Sequence, residues 1–330
     1  MRIGIPRGLL YYDYAPFWKA YFEGLGHEVV VSRPTSKKIL DQGTFVCVDD
    51  ACVPVKIFHG HVMDLMGRCD VIFIPRLVSV CRDEYTCPKI IGILEMIKNS
   101  IPGDMDILTI AINNHKDMDM ERKSYINLAK KINEKKLDVY RIVDNAYAIQ
   151  KHTDEETIRK WTSLDGNKKA IGLIGHPYIT QDSYINMNIM RTLEGEGYTV
   201  ILPENITEKE IWHECDKLPK KLFWSHGRRI LGGGLAMAES RKVSGILFIS
   251  SFGCGIDAFM GELLERMNHN QYKLPYTSII VDEQTGQAGV NTRLEAFLDM
   301  IEWRKKDEID ISKHGEGIHI SQGAVGGSGY

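Results

Sequence analysis

The chain has 330 residues, 43% of them apolar, and a formal net charge of −3. That length favours two domains and the apolar content is ample for their cores, while the near-neutral charge gives no electrostatic reason to expect nucleic acid. No long uncharged apolar run is present to span a bilayer, and the apolar stretch after Met1 is far too short for a secretory signal.

Short apolar runs alternate with helical periodicity, the signature of an α/β protein. In the first half, strands are expected at Arg2 to Pro6, Glu28 to Ser32, Phe45 to Val48, Val71 to Pro75 and Ile107 to Ile112. Helices fall between them, at Ala15 to Leu25, Pro54 to Met66, Pro88 to Asn99 and Met120 to Glu134. The second half repeats the scheme, with strands at Ala170 to Ile174, Thr199 to Pro203, Gly245 to Ser250 and Ser278 to Val281. Ile256, Phe259, Met260, Leu263, Leu264 and Met267 form one helical apolar face, and Leu294, Phe297, Leu298 and Ile301 another. Such strands pair in parallel, buried on both faces.

The halves resemble each other. Ile3-Gly4-Ile5-Pro6 leads through an aromatic helix to Gly24-Leu25-Gly26 and Val29-Val30-Val31, and Ile171-Gly172-Leu173-Ile174 leads to Glu196-Gly197 and Val200-Ile201-Leu202. The expected architecture is two Rossmann-like, doubly wound parallel-sheet domains, residues 1–150 and 170–311. The charged stretch Lys151 to Lys169 is read as the linker, with Leu164-Asp165-Gly166-Asn167 as its loop. Residues 312–330 read as a Gly-rich tail without a core role.

Seven cysteines without a secretory signal favour metal or redox chemistry over disulfides, in a reducing cytoplasm. Three share a context. Cys52 opens Cys52-Val53-Pro54, Cys87 opens Cys87-Pro88-Lys89, and Cys254 lies in Gly253-Cys254-Gly255-Ile256-Asp257. Proline is favoured at a first helical position, and a thiol at a helix N-terminus is biased toward the thiolate that binds metal. In open α/β sheets ligands bind where strands end and helices begin, so Cys52, Cys87 and Cys254 are expected to converge in the cleft between the domains. Cys47, Cys69 and Cys215 read as buried small hydrophobes.

The sequence resembles the acyl-CoA dehydratase activase-related proteins, relatives of the 2-hydroxyacyl-CoA dehydratase subunits (2-hydroxyglutaryl-CoA dehydratase-like). The resemblance covers most of residues 1–305. It rests on Ile3-Gly4-Ile5-Pro6-Arg7-Gly8-Leu9-Leu10-Tyr11-Tyr12, Asp50-Ala51-Cys52-Val53-Pro54-Val55-Lys56-Ile57-Phe58-His59-Gly60-His61, Cys87-Pro88-Lys89, Gly175-His176-Pro177-Tyr178, Ser251-Phe252-Gly253-Cys254-Gly255-Ile256-Asp257 and Thr292-Arg293-Leu294-Glu295-Ala296-Phe297. It implies that Cys52, Cys87 and Cys254 hold a [4Fe-4S] cluster between the domains. It also implies that a separate ATP-hydrolysing activase reduces the cluster. Relatives with a double-cubane [8Fe-9S] cluster suggest Cys47, Cys69 and Cys81 as further thiolates. Two positions depart from the pattern: Ile256 replaces a more usual proline, and His176 stands where arginine is expected.

The implied role is low-potential electron transfer, or reductive or dehydratase chemistry on an acyl-CoA or another small substrate. The chain is then an electron carrier, an ATP-dependent reductase or a dehydratase component, with a homo- or heterodimer left open. Three thiolates leave one iron open, for which Glu84, His59 and Cys81 are candidates. His59 and His61 also read as hydrogen-bonded groups near the cleft, and Gly232-Gly233-Gly234 as close helix packing rather than a phosphate loop. His176-Pro177-Tyr178 reads equally as a structural turn or as a cleft-facing group, and Asp282-Glu283 as a strand-end cap or a chemical pair. Arg293 reads as an anion ligand or as the partner of Glu295 or Glu283. The rivals are a zinc-containing or metal-free small-ligand binding module and a metal-free nucleotide- or CoA-dependent enzyme.

Overall fold

The runs Ala170–Ile174 and Ile246–Ser251 are buried at every residue, as strands in the middle of a two-sided parallel sheet must be. The computed structural model describes residues 1–133, 137–165 and 169–314, with side chains described as far as residue 304. The first half contains β1 (Arg2–Ile5), α1 (Tyr11–Gly24), β2 (Glu28–Val31), α2 (Lys37–Val46), α3 (Val53–Leu65), β3 (Val71–Phe73) and β4 (Arg76–Ser79). It continues with α4 (Pro88–Ile91), α5 (Ile93–Ser100), β5 (Ile107–Leu108), β6 (Ala111–Asn113), α6 (Met120–Ile132) and α7 (Val139–Thr162). The second half has β7 (Ala170–Ile174), α8 (Pro177–Thr180), α9 (Ile189–Gly195), β8 (Thr199–Ile201) and α10 (Glu208–Asp216). After these come α11 (Ser225–Ser240), β9 (Ile246–Ser251), α12 (Gly255–Met267), β10 (Tyr276–Val281) and α13 (Gln287–His314).

Two four-stranded sheets result, ordered β2-β1-β3-β5 and β8-β7-β9-β10, with every pairing parallel. Counted within its own sheet, each runs second-first-third-fourth. The pair β4–β6 prolongs the β3 and β5 paths, joined to them by Ile74 N–H to Leu108 O and Arg76 N–H to Ile110 O. The helix endings before β2 and β8 also match. Gly26 (φ 79°) and Gly197 (φ 81°) take left-handed backbone. The residues after them, His27 and Tyr198, donate back to Phe22 and Leu193. These are two copies of one glycine-terminated helix end.

Several sequence expectations are corrected. Phe45 and Val46 end α2 instead of forming a strand, and Cys47 is its C-cap. Ser36 caps that helix through Ile39 N–H, and Ile39, Leu40 and Gly43 face inward, so helical periodicity wins over a short apolar run. Lys151 to Thr162, within the stretch read as linker, belongs to α7. Its charges are a solvated face, while Val139, Val143, Ala146 and Trp161 are buried. The helix expected over Pro88 to Asn99 breaks at Gly92, and the strand over Ile107 to Ile112 divides in two. Ser312 to His314, expected in the tail, continue α13, while residues 315–330 lie outside the described residues, as do Glu134, Gly166 and Asn167.

Polar contacts join the halves. Glu84, fully buried, accepts from Arg228 Nε at 2.9 and 3.0 Å. Tyr85 pairs its backbone with Phe223 and Ser225. Lys56, almost fully buried, reaches Glu283 at 2.7 Å, and Asp13 pairs with Arg229. Among the described residues, no helix is long and apolar enough to cross a membrane.

Candidate metal centre

Extended backbone at a residue that accepts the first helical hydrogen bond defines an N-cap. Cys52 (φ −67°, ψ 152°), Cys87 (φ −57°, ψ 135°) and Cys254 (φ −94°, ψ 104°) are each the N-cap of the following helix: α3, α4 and α12. Pro54 and Pro88 sit in the first turns, where a missing N–H costs nothing. The Cys254 Sγ accepts from Asp257 N–H at 3.5 Å, the ordinary side-chain cap with sulfur in place of oxygen.

The three loops meet. Lys89, two residues after Cys87, donates to Asp50 O at 3.2 Å and Gly253 O at 3.3 Å, reaching the segments that lead into Cys52 and Cys254. Val53 N–H donates to Ser251 Oγ at 3.2 Å. Gly253 holds left-handed backbone (φ 75°), and a Cβ there would stand 3.9 Å from Cys52 Cα. Cys52 is buried, while Cys87 and Cys254 are partly open. Burial raises the Tyr178 phenol well above its ordinary value, and Cys254, Asp257, Cys52 and Cys87 all add to the shift, so all four lie within electrostatic range of one side chain.

Burial also governs the thiols. It pushes Cys52 up, with Lys89 opposing, and pushes Cys254 up further, with Asp257 adding. At Cys52 and Cys254, burial therefore outweighs the thiolate bias expected from a helix N-terminus. A bound cation reverses that balance, because coordination itself deprotonates the thiol.

A fourth helix start adjoins the three. His176 follows β7 and caps α8, with Pro177 next, the same pattern as Cys87-Pro88. It is buried, stacks on Tyr178 at 4.7 Å and meets His226 edge-on at 5.6 Å. Its Nε2 lies 3.2 Å from Asp257 Oδ1 and 4.0 Å from Cys254 Sγ. Because β7 and β9 are adjacent, His176 and Cys254 flank the point where strand order reverses, the usual ligand crevice of an open α/β sheet. Burial holds His176 well below the ordinary imidazole value and lifts Asp257 to about 7.

Other candidates stand elsewhere. Glu84 is taken by Arg228, and Cys81 is raised to about 11 by burial and by Glu84. His59 Nδ1 is 2.8 Å from Val55 O, one turn back on its own helix. His61 is satisfied by Ser32 and Thr35. Cys69 precedes the N-terminal end of β3, whereas Cys87 and Cys254 follow the C-terminal ends of β4 and β9, and its Sγ lies on Leu65 O. Cys215 is buried in α10 against Arg228 O. Glu283 belongs to Lys56, and Asp282 closes a turn with Thr285. Each glycine of Gly232-Gly233-Gly234 in α11 faces a close neighbour: Ile211 O, Pro203 and Leu264. Sequence reasoning gave no role to Lys89 or Asp257. Asp257 was findable, three residues after a capping cysteine, whereas the reach of Lys89 depends on tertiary structure.

Fold and site define a class: an α/β protein of two like-ordered parallel sheets, with cysteine, histidine and aspartate gathered at helix starts where the halves meet, Cys87, His176 and Cys254 after strands and Cys52 between α2 and α3. Residues 2–206 match the CoA enzyme activase uncharacterised domain, and the chain belongs to that activase-related family. The match includes Cys52, Cys87 and His176 and ends before Cys254. Among curated proteins, none matches.

Proposed function

We propose that Cys52, Cys87 and Cys254 hold an iron–sulfur cluster, [4Fe-4S] in form, and that the chain works in low-potential electron transfer or in reductive or dehydratase chemistry like the 2-hydroxyacyl-CoA dehydratase subunits. The single observation that carries this reading is that three cysteines remote in sequence cap three helices on loops tied together by Lys89. The donor set fits the group: three thiols, soft ligands of the kind iron–sulfur clusters take. When bound, such a cluster supplies one-electron chemistry at a potential set by net charge, hydrogen bonds to sulfur and exposure.

The chain's own residues have definable parts in this. Asp257 N–H aims at Cys254 Sγ, Lys89 places a positive charge beside the Cys52 and Cys254 loops, and Tyr178 and the core behind it exclude water. Cys87 and Cys254 are partly open, which would give a partner access to the cluster. The activase-related family is in keeping with ATP-dependent partner interactions in general, and a separate ATP-hydrolysing activase as that partner is part of the proposal. The relation to dehydratase subunits, an acyl-CoA substrate, a cytoplasmic setting and the division into domains 1–150 and 170–311 are parts of the same proposal.

Anaerobic reconstitution with iron and sulfide, followed by absorption and electron spin resonance, tests it. Cys52→Ala, Cys87→Ala and Cys254→Ala each lose the cluster signal, and Cys215→Ala keeps it. Equal signal in all four variants overturns the assignment.

A further inference from the structure

Beyond the cluster, we propose a second, mononuclear metal-binding mode in the same corner: His176, Cys254 and Asp257 hold a single divalent transition ion of the zinc class, in a state that excludes the cluster because Cys254 belongs to both. The donor atoms of the three residues all lie within 4.8 Å of one another. His176 and Asp257 are 1% and 0% exposed, so this is a built interior site and not an acidic surface cluster. The residues come from two adjacent strand ends: His176 just beyond β7, Cys254 and Asp257 just beyond β9.

The spacing decides between one ion and many. Tetrahedral zinc with bonds of about 2.0–2.3 Å puts neighbouring nitrogen and oxygen ligands about 3.3 Å apart, and sulfur and nitrogen about 3.6 Å apart. The observed separations are 3.2 Å for His176 Nε2 to Asp257 Oδ1 and 4.0 Å for Cys254 Sγ to His176 Nε2. Ligands of a cubane bind separate irons and stand much farther apart. A mixed nitrogen, sulfur and oxygen set is also a zinc set rather than a cluster set.

One buried polar atom that faces the other two donors is left without a hydrogen bond, an observation independent of the spacing. Asp257 Oδ1 makes no hydrogen bond, although its sister Oδ2 accepts from Ser251 N–H. The buried His176 Nδ1 has no partner either; with Nε2, the nitrogen beside Asp257 and Cys254, holding the ion, Nδ1 would carry the ring proton. Three protein ligands leave the fourth position of the ion open, as in zinc sites that bind water or substrate.

The test is metal titration of the cluster-free protein under anoxia with zinc(II) alone, and separately with cobalt(II) alone as a spectroscopic substitute. Wild type binds one ion per chain, and the cobalt form shows tetrahedral bands with the charge-transfer intensity of one thiolate. Cys52→Ala and Cys87→Ala retain this, whereas His176→Ala, Asp257→Asn and Cys254→Ser lose it. Zinc loading beforehand blocks cluster assembly in wild type. No stoichiometric ion in wild type overturns the proposal, as does undiminished binding in both His176→Ala and Asp257→Asn. A cobalt spectrum of three thiolates in wild type also overturns it, and that readout stands even if a variant fails to fold. Failure of the cluster reading looks different: the iron signal is absent while the one-thiolate cobalt spectrum remains.

Discussion

Replacing Lys89 with methionine keeps an unbranched side chain as long as the lysine's aliphatic stem and removes its ammonium. The two bonds lost run to Asp50 O and Gly253 O at 3.2 and 3.3 Å, long and partly solvated. Hydrogen bonds from a charged donor range up to about 3 kcal/mol, but length and solvent place these near about 1 kcal/mol each, so the variant loses about 2 kcal/mol. In a chain of this size each kcal/mol moves the melting temperature by roughly 2 °C, giving a fall of about 4 °C. The consequence for the site is greater than for the fold, because the same two bonds join the Cys87 loop to the segments leading into Cys52 and Cys254. Thermal melts followed by circular dichroism, beside iron per chain after anaerobic reconstitution, read both effects. The expected outcome is a small drop in melting temperature with a large drop in iron. A Lys89→Met protein that melts within about 1 °C of wild type and takes up iron normally refutes the reasoning.

Three further outcomes are expected. Glu84→Gln leaves Arg228 buried with half its pairing gone; because Glu208 and the Trp212 ring remain beside Arg228, the cost falls at the low end for a broken buried pair, about 3 kcal/mol, measured by urea unfolding. Gly60→Ala drives a Cβ into the Ile39 carbonyl where α2 crosses α3, and the resulting overpacking costs about 3 kcal/mol and shifts the helix that Cys52 begins, visible as lower stability together with lower iron uptake. Two carboxyls give opposite pH dependences. Burial lifts Glu204 to about 7, so its contribution is full below the unfolded value of about 4.3 and lost as pH rises through about 7; Glu204→Gln then gains on wild type by up to about 3 kcal/mol across that window. Burial also pushes Asp13 up, but Arg229 and His226 outweigh it and hold the carboxyl below its ordinary range, so its contribution is present above about pH 4 and lost only on further acidification.

Much of this fold is legible in the residues because buried parallel strands and capped helices leave strong local marks. The runs at Ile3-Gly4-Ile5, Ala170 to Ile174 and Gly245 to Ser250 announce strands, and the glycines at 26 and 197 announce the helix ends before their partners. The capping cysteines were equally plain, since proline or glycine after a cysteine constrains the backbone locally. What misled was local evidence of the wrong period. Phe45-Val46-Cys47-Val48 has strand composition, yet Phe45 is 89% exposed and the inward residues of α2 lie at Ile39, Leu40 and Gly43. The charges of Lys151 to Lys160 suggested a linker because they hide a helix whose buried positions are widely spaced. His176 reads equally as a turn or a cleft-facing group, and Asp257 is marked locally only by its place three residues after a capping cysteine, because only the adjacency of β7 and β9 brings them together. The upward push of burial on Cys52 and Cys254 is hidden for a different reason: helix polarity can be read from sequence, but depth of burial cannot.

Iron and acid-labile sulfide per chain, in protein purified under strict anoxia and never exposed to added metal, bear most directly on the assembly of Cys52, Cys87 and Cys254. About four of each per wild-type chain, falling to near none when any one of the three is changed to alanine, is the predicted result. A wild-type chain that carries neither, and acquires neither on anaerobic reconstitution, contradicts it.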